Sequence, residues 1–310
     1  MSGYDHHYSV MLDEALKALF VRESGTYADC TYGRGGHSRR ILSSLGEEGR
    51  LLALDSDLDA VNHAKKMFAN DSRVIIEHST FSNIKKLAEK HNATGFDGVL
   101  LDLGVSSPQL DNAKRGFSFR LDGPLDMRLN SSAGITAADW LQKAPQKEIE
   151  EVLKNYGEER YFRRIARALV NEREKSELKT TSGLVEIVKK AMPALDKNKH
   201  PATRVFQAIR IHINRELDEL SHCLEQLINL MNAGGRIVVI SFHSLEDRIV
   251  KNFFKRKAQG EYFPRKFPIK DADIKRTLRV LGKPLKASPQ EILNNRRSRS
   301  ATMRVAEKMP

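Results

Sequence analysis

Asp29-Cys30-Thr31-Tyr32-Gly33-Arg34-Gly35-Gly36-His37-Ser38 lies between a strand-like run at 26–28 and a helix-like run at 39–45. Its glycines permit a tight turn and a close approach of backbone to a ligand, and the open N–H groups of the helix start offer hydrogen-bond donors. An ordinary strand-to-helix turn can carry the same glycines, so the loop needs support from a second feature. Asp55 supplies it. It stands 22 positions beyond Gly33, at the end of the next apolar run, 51–54, near the ~20-residue spacing of a ribose-binding acid. The competing reading of Asp55 is a surface acid in Asp55-Ser56-Asp57.

Two further apolar runs end in polar residues: 99–101 before Asp102, and 237–240 before Ser241. Short runs of this kind suit buried parallel strands, and polar residues at strand C-termini are where open α/β sheets bind ligands. Helical candidates at 57–68 and 82–91 alternate with them, so the N-terminal third predicts a doubly wound α/β sheet. The alternation stops after Val105. Ile149, Val152, Leu153, Tyr156, Ile165 and Leu169 then recur at helical spacing, as do Leu184, Ile187, Val188 and Ala191 before Pro193. A longer helix is expected to carry Phe206, Ile209, Ile213, Leu217, Leu220, Leu224, Leu227 and Met231 on one face, to end at Gly234-Gly235, and to lead into the strand at Ile237. The expected domains are a discontinuous α/β domain, 1–105 and 213–310, and a mostly helical insertion, 106–212, for substrate recognition.

Ser38 stands where G-x-G-x-x-G would place its third glycine, which weakens a dinucleotide reading. Asp29 would repel a pyrophosphate, whereas it suits the ammonium or sulfonium end of S-adenosylmethionine. Its alternative is a strand-end acid capping a local backbone group.

The chain has 310 residues and a formal charge of +12, which favours a polyanionic partner, nucleic acid before anionic membrane. The start Met1-Ser2-Gly3-Tyr4-Asp5-His6-His7 is polar and no apolar run approaches the roughly 20 residues that span a bilayer, so a cytoplasmic protein without membrane attachment is expected. Cys30 and Cys223 are too few for a disulfide framework and lack the spacing of a zinc site; both are expected to be reduced and buried, and no metal is expected.

Several blocks together resemble one family, the bacterial ribosomal RNA small subunit methyltransferase H family, which modifies the N4 position of a cytosine in 16S ribosomal RNA. They are His7-Tyr8-Ser9-Val10-Met11-Leu12-Asp13-Glu14-Ala15, the loop from Thr31 to Ser38, Leu101-Asp102-Leu103-Gly104-Val105-Ser106-Ser107-Pro108-Gln109-Leu110, and Arg115-Gly116-Phe117-Ser118-Phe119. The order continues through Asp122-Gly123-Pro124-Leu125-Asp126-Met127-Arg128, Tyr156-Gly157-Glu158-Glu159-Arg160, His200-Pro201-Ala202-Thr203-Arg204 and Ser241-Phe242-His243-Ser244-Leu245-Glu246-Asp247-Arg248. The resemblance implies a Rossmann-like class I methyltransferase with a helical insertion, S-adenosyl-L-methionine as cofactor, and 16S rRNA in the small ribosomal subunit, near the decoding centre, as partner. It also implies cofactor contacts at Gly35, Gly36, His37, Asp55, Phe81, Asp102 and Gln109. Phe81 would wall the adenine by stacking; on the residues alone it reads as core.

A cytosine amino group is a poor nucleophile, so its nitrogen must be aligned with the sulfonium methyl and the charge growing on it stabilised. Asp102, with the carbonyls of the Leu103-Gly104 turn, is the candidate acceptor. Many amino-group methyltransferases follow an Asp or Asn here with Pro-Pro and an aromatic, and this chain has Leu103-Gly104-Val105 instead. Phe242 or the catalytic candidate His243 could substitute by stacking on or bonding the base; His243 can equally be a helix-start residue beside a cap at Ser244. Arg115, Phe117, Phe119, Arg120 and Arg128 could hold a splayed base, with core packing the alternative for the phenylalanines. Arg296, Arg297, Arg299 and Arg304, with Lys251, Lys255, Arg256 and Lys257, could grip phosphates or form a solvated basic face. A methyltransferase of DNA or of a ribosomal protein, and a non-catalytic RNA-binding module, are the competing classes; the fraction that receives methyl separates the first two, and cofactor binding the third.

Overall fold

The computed structural model describes residues 9–194, 200–260 and 275–310. His7 and Tyr8 of the opening motif lie outside them. Two compact units divide the chain: Met1–Gly104 with Leu217–Pro310, and Val105–Glu216.

The first unit opens with α1 (Leu12–Leu19), β1 (Thr26–Asp29), α2 (Gly36–Leu42), β2 (Arg50–Asp55), α3 (Leu58–Met67), β3 (Val74–His78), α4 (Ile84–Lys90) and β4 (Phe96–Asp102). Helix α2 begins three residues earlier than its sequence suggests, because glycine at 35 takes a left-handed conformation and starts the turn directly. Strand β3 is half-buried along its whole length and carries the apolar run Val74-Ile75-Ile76, which the sequence reading above does not assign to a strand.

The second unit contains α5 (Ser107–Asp111), α6 (Ala137–Lys143), α7 (Gln146–Asn155), α8 (Phe162–Arg173), α9 (Thr181–Ala191) and α10 (Thr203–Asn214). Its core gathers the stripe residues Ile149, Val152, Leu153, Ile165, Leu169, Leu184 and Val188, with Trp140, Phe206 and Ile209. Phe117 joins this core.

The chain returns to the first unit through α11 (Glu216–Leu230), β5 (Met231–Ser241), α12 (Ser244–Gln259), β6 (Leu278–Val280), β7 (Leu285–Lys286), α13 (Pro289–Asn294) and β8 (Thr302–Lys308). The single long helix expected across 206–231 is two helices. Arg215 adopts φ 50°, ends α10 and caps it through its backbone N–H, and α11 starts at the next residue. The apolar stripe therefore serves two cores: Phe206 and Ile209 in the second unit, Leu220, Leu224 and Leu227 in the first. Nor do Gly234 and Gly235 end a helix. They lie inside β5, at an irregularity between its pairings Phe96↔Met231 and Gly98↔Arg236.

The described strands form one sheet in the order β3-β2-β1-β4-β5-β8-β6, with β7 also on β8. Neighbours from β3 to β5 are parallel, and β8 runs antiparallel to β5 and β6. Alternation along the strands fills both faces. Val99, Leu101, Ile237 and Val239 pack with residues of α4, α11 and α12; Leu100, Val238 and Ile240 pack with residues of α1 and α2. Cys30 and Cys223 are both buried free thiols. Among the described residues no helix is long and apolar enough to cross a membrane.

Candidate active site

Three carboxylates stand at the C-terminal ends of three neighbouring parallel strands: Asp29 on β1, Asp55 on β2 and Asp102 on β4. The glycine loop after β1 is tied to all three. Gly33 N–H donates to Asp55 Oδ2 at 2.8 Å, and Thr31 Oγ1 accepts from the Asp102 backbone N–H at 2.7 Å. Asp29 accepts from Thr31 N–H at 3.2 Å and from Ser38 Oγ at 2.6 Å. Asp29 is 1% exposed, so its role is the local cap, the alternative weighed for it from sequence, rather than a face open to a ligand.

The loop's glycines are required by packing. A Cβ on Gly35 would fall 2.5 Å from the Tyr32 hydroxyl oxygen at a φ of +73°, and one on Gly36 would overlap Ser9 Oγ. Their backbone therefore packs directly against Tyr32 and Ser9, and the first N–H groups of α2 remain free of intrahelical partners.

Burial dominates the electrostatics. It pushes the carboxyls of Asp29 and Asp55 up to about 6, each partly offset by the hydrogen bonds it accepts. Asp102 is raised well above the ordinary carboxylate range by burial first and by the negative charge of Asp29 second. Asp102 Oδ1 is buried without a hydrogen-bond partner among the described residues. Its other oxygen, Oδ2, lies 3.7 Å from His37 Nδ1. The His37 ring is buried, which lowers its pKa to about 4, and Nε2 faces the Val10 carbonyl at 3.1 Å. A carbonyl only accepts, so the neutral ring carries its proton on Nε2 and turns the Nδ1 lone pair toward Asp102.

Phe81 begins a 3₁₀ turn after β3 and packs, half-buried, against the sheet core. Gln109 belongs to the second unit, where it is buried and its Oε1 accepts the Ser106 N–H at 2.8 Å in a capping box at the start of α5. His243, not Ser244, is the N-cap of α12: Nδ1 accepts the Glu246 N–H at 3.4 Å, and Nε2 lies 3.2 Å from Glu246 Oε1. Glu246 in turn accepts the N–H groups of Phe242 and His243. Asp102 pairs in register with Ile240, and a Cβ on Gly104 would fall 3.6 Å from the Phe242 ring, so Phe242 flanks the turn after Asp102.

Sequence reasoning missed Thr31, Ser38, Val10 and Glu246, which touch the acids or hold the turns. Only Glu246 carried a signal, an acid three residues after a helix start.

Several cations singled out from sequence have structural work. Arg304 forms a bidentate pair with Asp247 at 2.7 and 2.9 Å, and Arg128 one with Asp126 at 2.7 and 2.9 Å. Arg115 donates to the carbonyls of Arg128 and Leu129; Arg256 and Lys257 pair with Glu225. Phe119 stacks on His200 at 4.5 Å between ring centroids. Arg296, Arg299, Lys251 and Lys255 are exposed.

A parallel sheet of this order with one inserted antiparallel strand, a glycine loop after β1 and an acid closing β2 define a Rossmann-like S-adenosylmethionine-dependent methyltransferase. The chain belongs to the MraW methylase family, whose sequence profile matches residues 4–309. It is 52% identical over 304 residues to the ribosomal RNA small subunit methyltransferase H of Legionella pneumophila (strain Paris), covering 98% of this chain and 99% of that protein. Proteins of the same name from Alteromonas mediterranea and Coxiella burnetii (strain RSA 331) are 51% identical over 306 residues and 50% over 304, covering 98% of this chain and 97% and 99% of theirs.

Proposed function

We propose that this protein transfers the methyl group of S-adenosylmethionine to the N4 amino group of a cytosine in small-subunit ribosomal RNA. The observation that carries the reading is Asp102: a buried carboxylate oxygen without a donor among the described residues, at the end of β4 beside the glycine loop, in a chain of this family. Unsatisfied buried acceptors are rare in folded proteins, and one at a ligand-binding strand end fits a ligand that brings N–H donors or positive charge. The three clustered carboxylates disfavour a phosphate there.

The cofactor, when bound, supplies an electrophilic methyl on a sulfonium. Asp55 keeps one lone pair on each oxygen beyond those used by Gly33 and Asp57, and these receive ribose hydroxyls. The backbone of Gly35, Gly36 and His37 provides donors and a close surface, Phe81 a face for the adenine, and Gln109 a further contact. Asp102 Oδ1 accepts a hydrogen bond from the cytosine amino group, orients its lone pair and holds the departing proton as positive charge grows on nitrogen. Phe242 stacks on the base, and His243, as the cap of α12, positions Phe242. The second unit recognises the RNA around the target, and a ribosomal substrate puts the protein in the cytoplasm.

The test is transfer of labelled methyl from S-adenosylmethionine to small ribosomal subunits from cells lacking this gene, followed by nucleoside analysis. N4-methylcytidine is expected. Label in protein or DNA would overturn the substrate, and absence of label in every fraction would overturn the activity.

A further inference from the structure

Many arginines among the described residues are held by carboxylates, as Arg210 is by Glu216 and Arg73 by Asp71. One short segment of the second unit is different. Arg163, Arg164 and Arg167 are exposed at the spacing that puts side chains on adjoining positions of the α8 surface, Arg160 is exposed in the turn just before that helix, and none of the four pairs with a carboxylate among the described residues. The opposite face of α8, with Ile165, Ala166 and Leu169, is buried in the core.

Aromatic rings take the place of the missing acids. The Arg160 guanidinium lies 5.6 Å from the Tyr161 ring centroid, and Arg163 lies 5.3 Å from that of Phe162, which Lys154 of α7 approaches at 5.9 Å. A ring steadies a guanidinium through its face while leaving the in-plane N–H groups unused, so the fork stays available to two oxygens of a phosphate. A carboxylate partner would have consumed it. The half-buried rings of Tyr161 and Phe162 add apolar surface beside the cations, an arrangement that suits a nucleic-acid backbone with unstacked bases. A membrane-surface helix would instead need its apolar face free to insert, and α8 has committed that face to the core.

We infer that the surface formed by Arg160, Tyr161, Phe162, Arg163, Arg164 and Arg167 is the principal phosphate-binding face for the RNA substrate. This rests on the ribosomal RNA reading above and deepens it.

The test uses the full chain and compares wild type, the triple variant R163Q/R164Q/R167Q and the charge-keeping R163K/R164K/R167K. The probe is small-subunit ribosomal RNA from cells lacking this gene. Affinity is read from 50 to 200 mM salt, with KM and kcat for methyl transfer and S-adenosylmethionine binding by calorimetry. The glutamine variant is expected to bind RNA at least tenfold more weakly at ~0.1 M salt, with the slope of log K against log salt reduced by about 2, KM raised, and cofactor affinity unchanged. The lysine variant recovers most of the salt slope, which a merely structural role for the arginines would not give. Unchanged RNA affinity and slope in the glutamine variant, with wild-type methylation intact, overturns this surface and leaves the proposed function standing. Wild type that neither binds nor methylates the RNA overturns both, whereas a glutamine variant that loses binding only to vesicles of anionic lipid overturns this surface alone.

Discussion

His37 Nδ1 and Asp102 Oδ2 face each other at 3.7 Å, one on α2 and the other at the end of β4, while the far nitrogen of the ring is fixed by the Val10 carbonyl. The lone pair on Nδ1 and a negative charge on Oδ2 repel each other, so the pair favours a proton between them in the resting protein. Asp102→Asn removes the ionisable proton acceptor in nearly the same shape. Turnover at saturating cofactor is expected to fall ~10²- to 10³-fold, by analogy with loss of one stabilising group at a reacting centre. The urea midpoint should not drop, because a buried oxygen without a partner is being replaced. Wild-type turnover would remove Asp102 from the chemistry.

Asp29 tests the cost of burying a charge. Its carboxyl is pushed up to about 6 by burial, against 3.8 as a reference, so folding stability from this group is fully present below ~3.8 and is lost as pH rises through 6. At pH 8 the ionised form costs about 3 kcal/mol. Asp29→Asn without ligand should therefore be at least as stable as wild type at pH 8 and lose that advantage at pH 4, measured by urea unfolding at both values. Its loop would be set less exactly for the cofactor, and calorimetry should show weakened S-adenosylmethionine binding. Equal destabilisation at both pH values would contradict the burial argument.

Gly35→Ala places a Cβ at φ +73° against the Tyr32 ring. The backbone strain and the displaced ring together are expected to cost about 2 to 3 kcal/mol of stability. Cofactor affinity should fall at least tenfold in calorimetry, because the loop must open to accept the methyl group. Thermal unfolding indistinguishable from wild type would show that the loop can relax around it.

Arg304 belongs, by sequence, to a basic tract suited to phosphates, yet it spends its fork on Asp247. Arg304→Ala should lower stability by about 1 kcal/mol, as for a partly exposed bidentate pair, and leave the salt slope of RNA binding unchanged. The same hydrogen bonds hold the Asp247 carboxyl below its ordinary range. The pair's contribution is therefore present above about pH 4, near the unfolded carboxyl value, and disappears as pH falls through the lower folded value. Denaturation of Arg304→Ala at pH 7 and in strong acid, beside salt titrations of RNA binding, checks both statements.

The glycine loop, Asp55, Asp102 and the strands carrying them are legible in the sequence because their signals are local: a turn needs its glycines in place, and a strand buried on both faces must be apolar throughout. The helical stripes of the second unit are legible for the same reason. The half-buried β3 and the two- and three-residue strands β7 and β6 are not read there, since no strand fully buried on both faces marks them. What only the tertiary structure decided is which polar groups found partners. Arg304 meets an acid 57 positions away, whereas Arg163, with the same side chain, meets an aromatic ring. His243 is a cap, Arg215 breaks one apolar stripe into two, and Asp102 Oδ1 is left without a donor among the described residues. A pairing across 57 positions, as of Arg304 with Asp247, is set by the packing of whole elements, to which no short stretch of sequence has access.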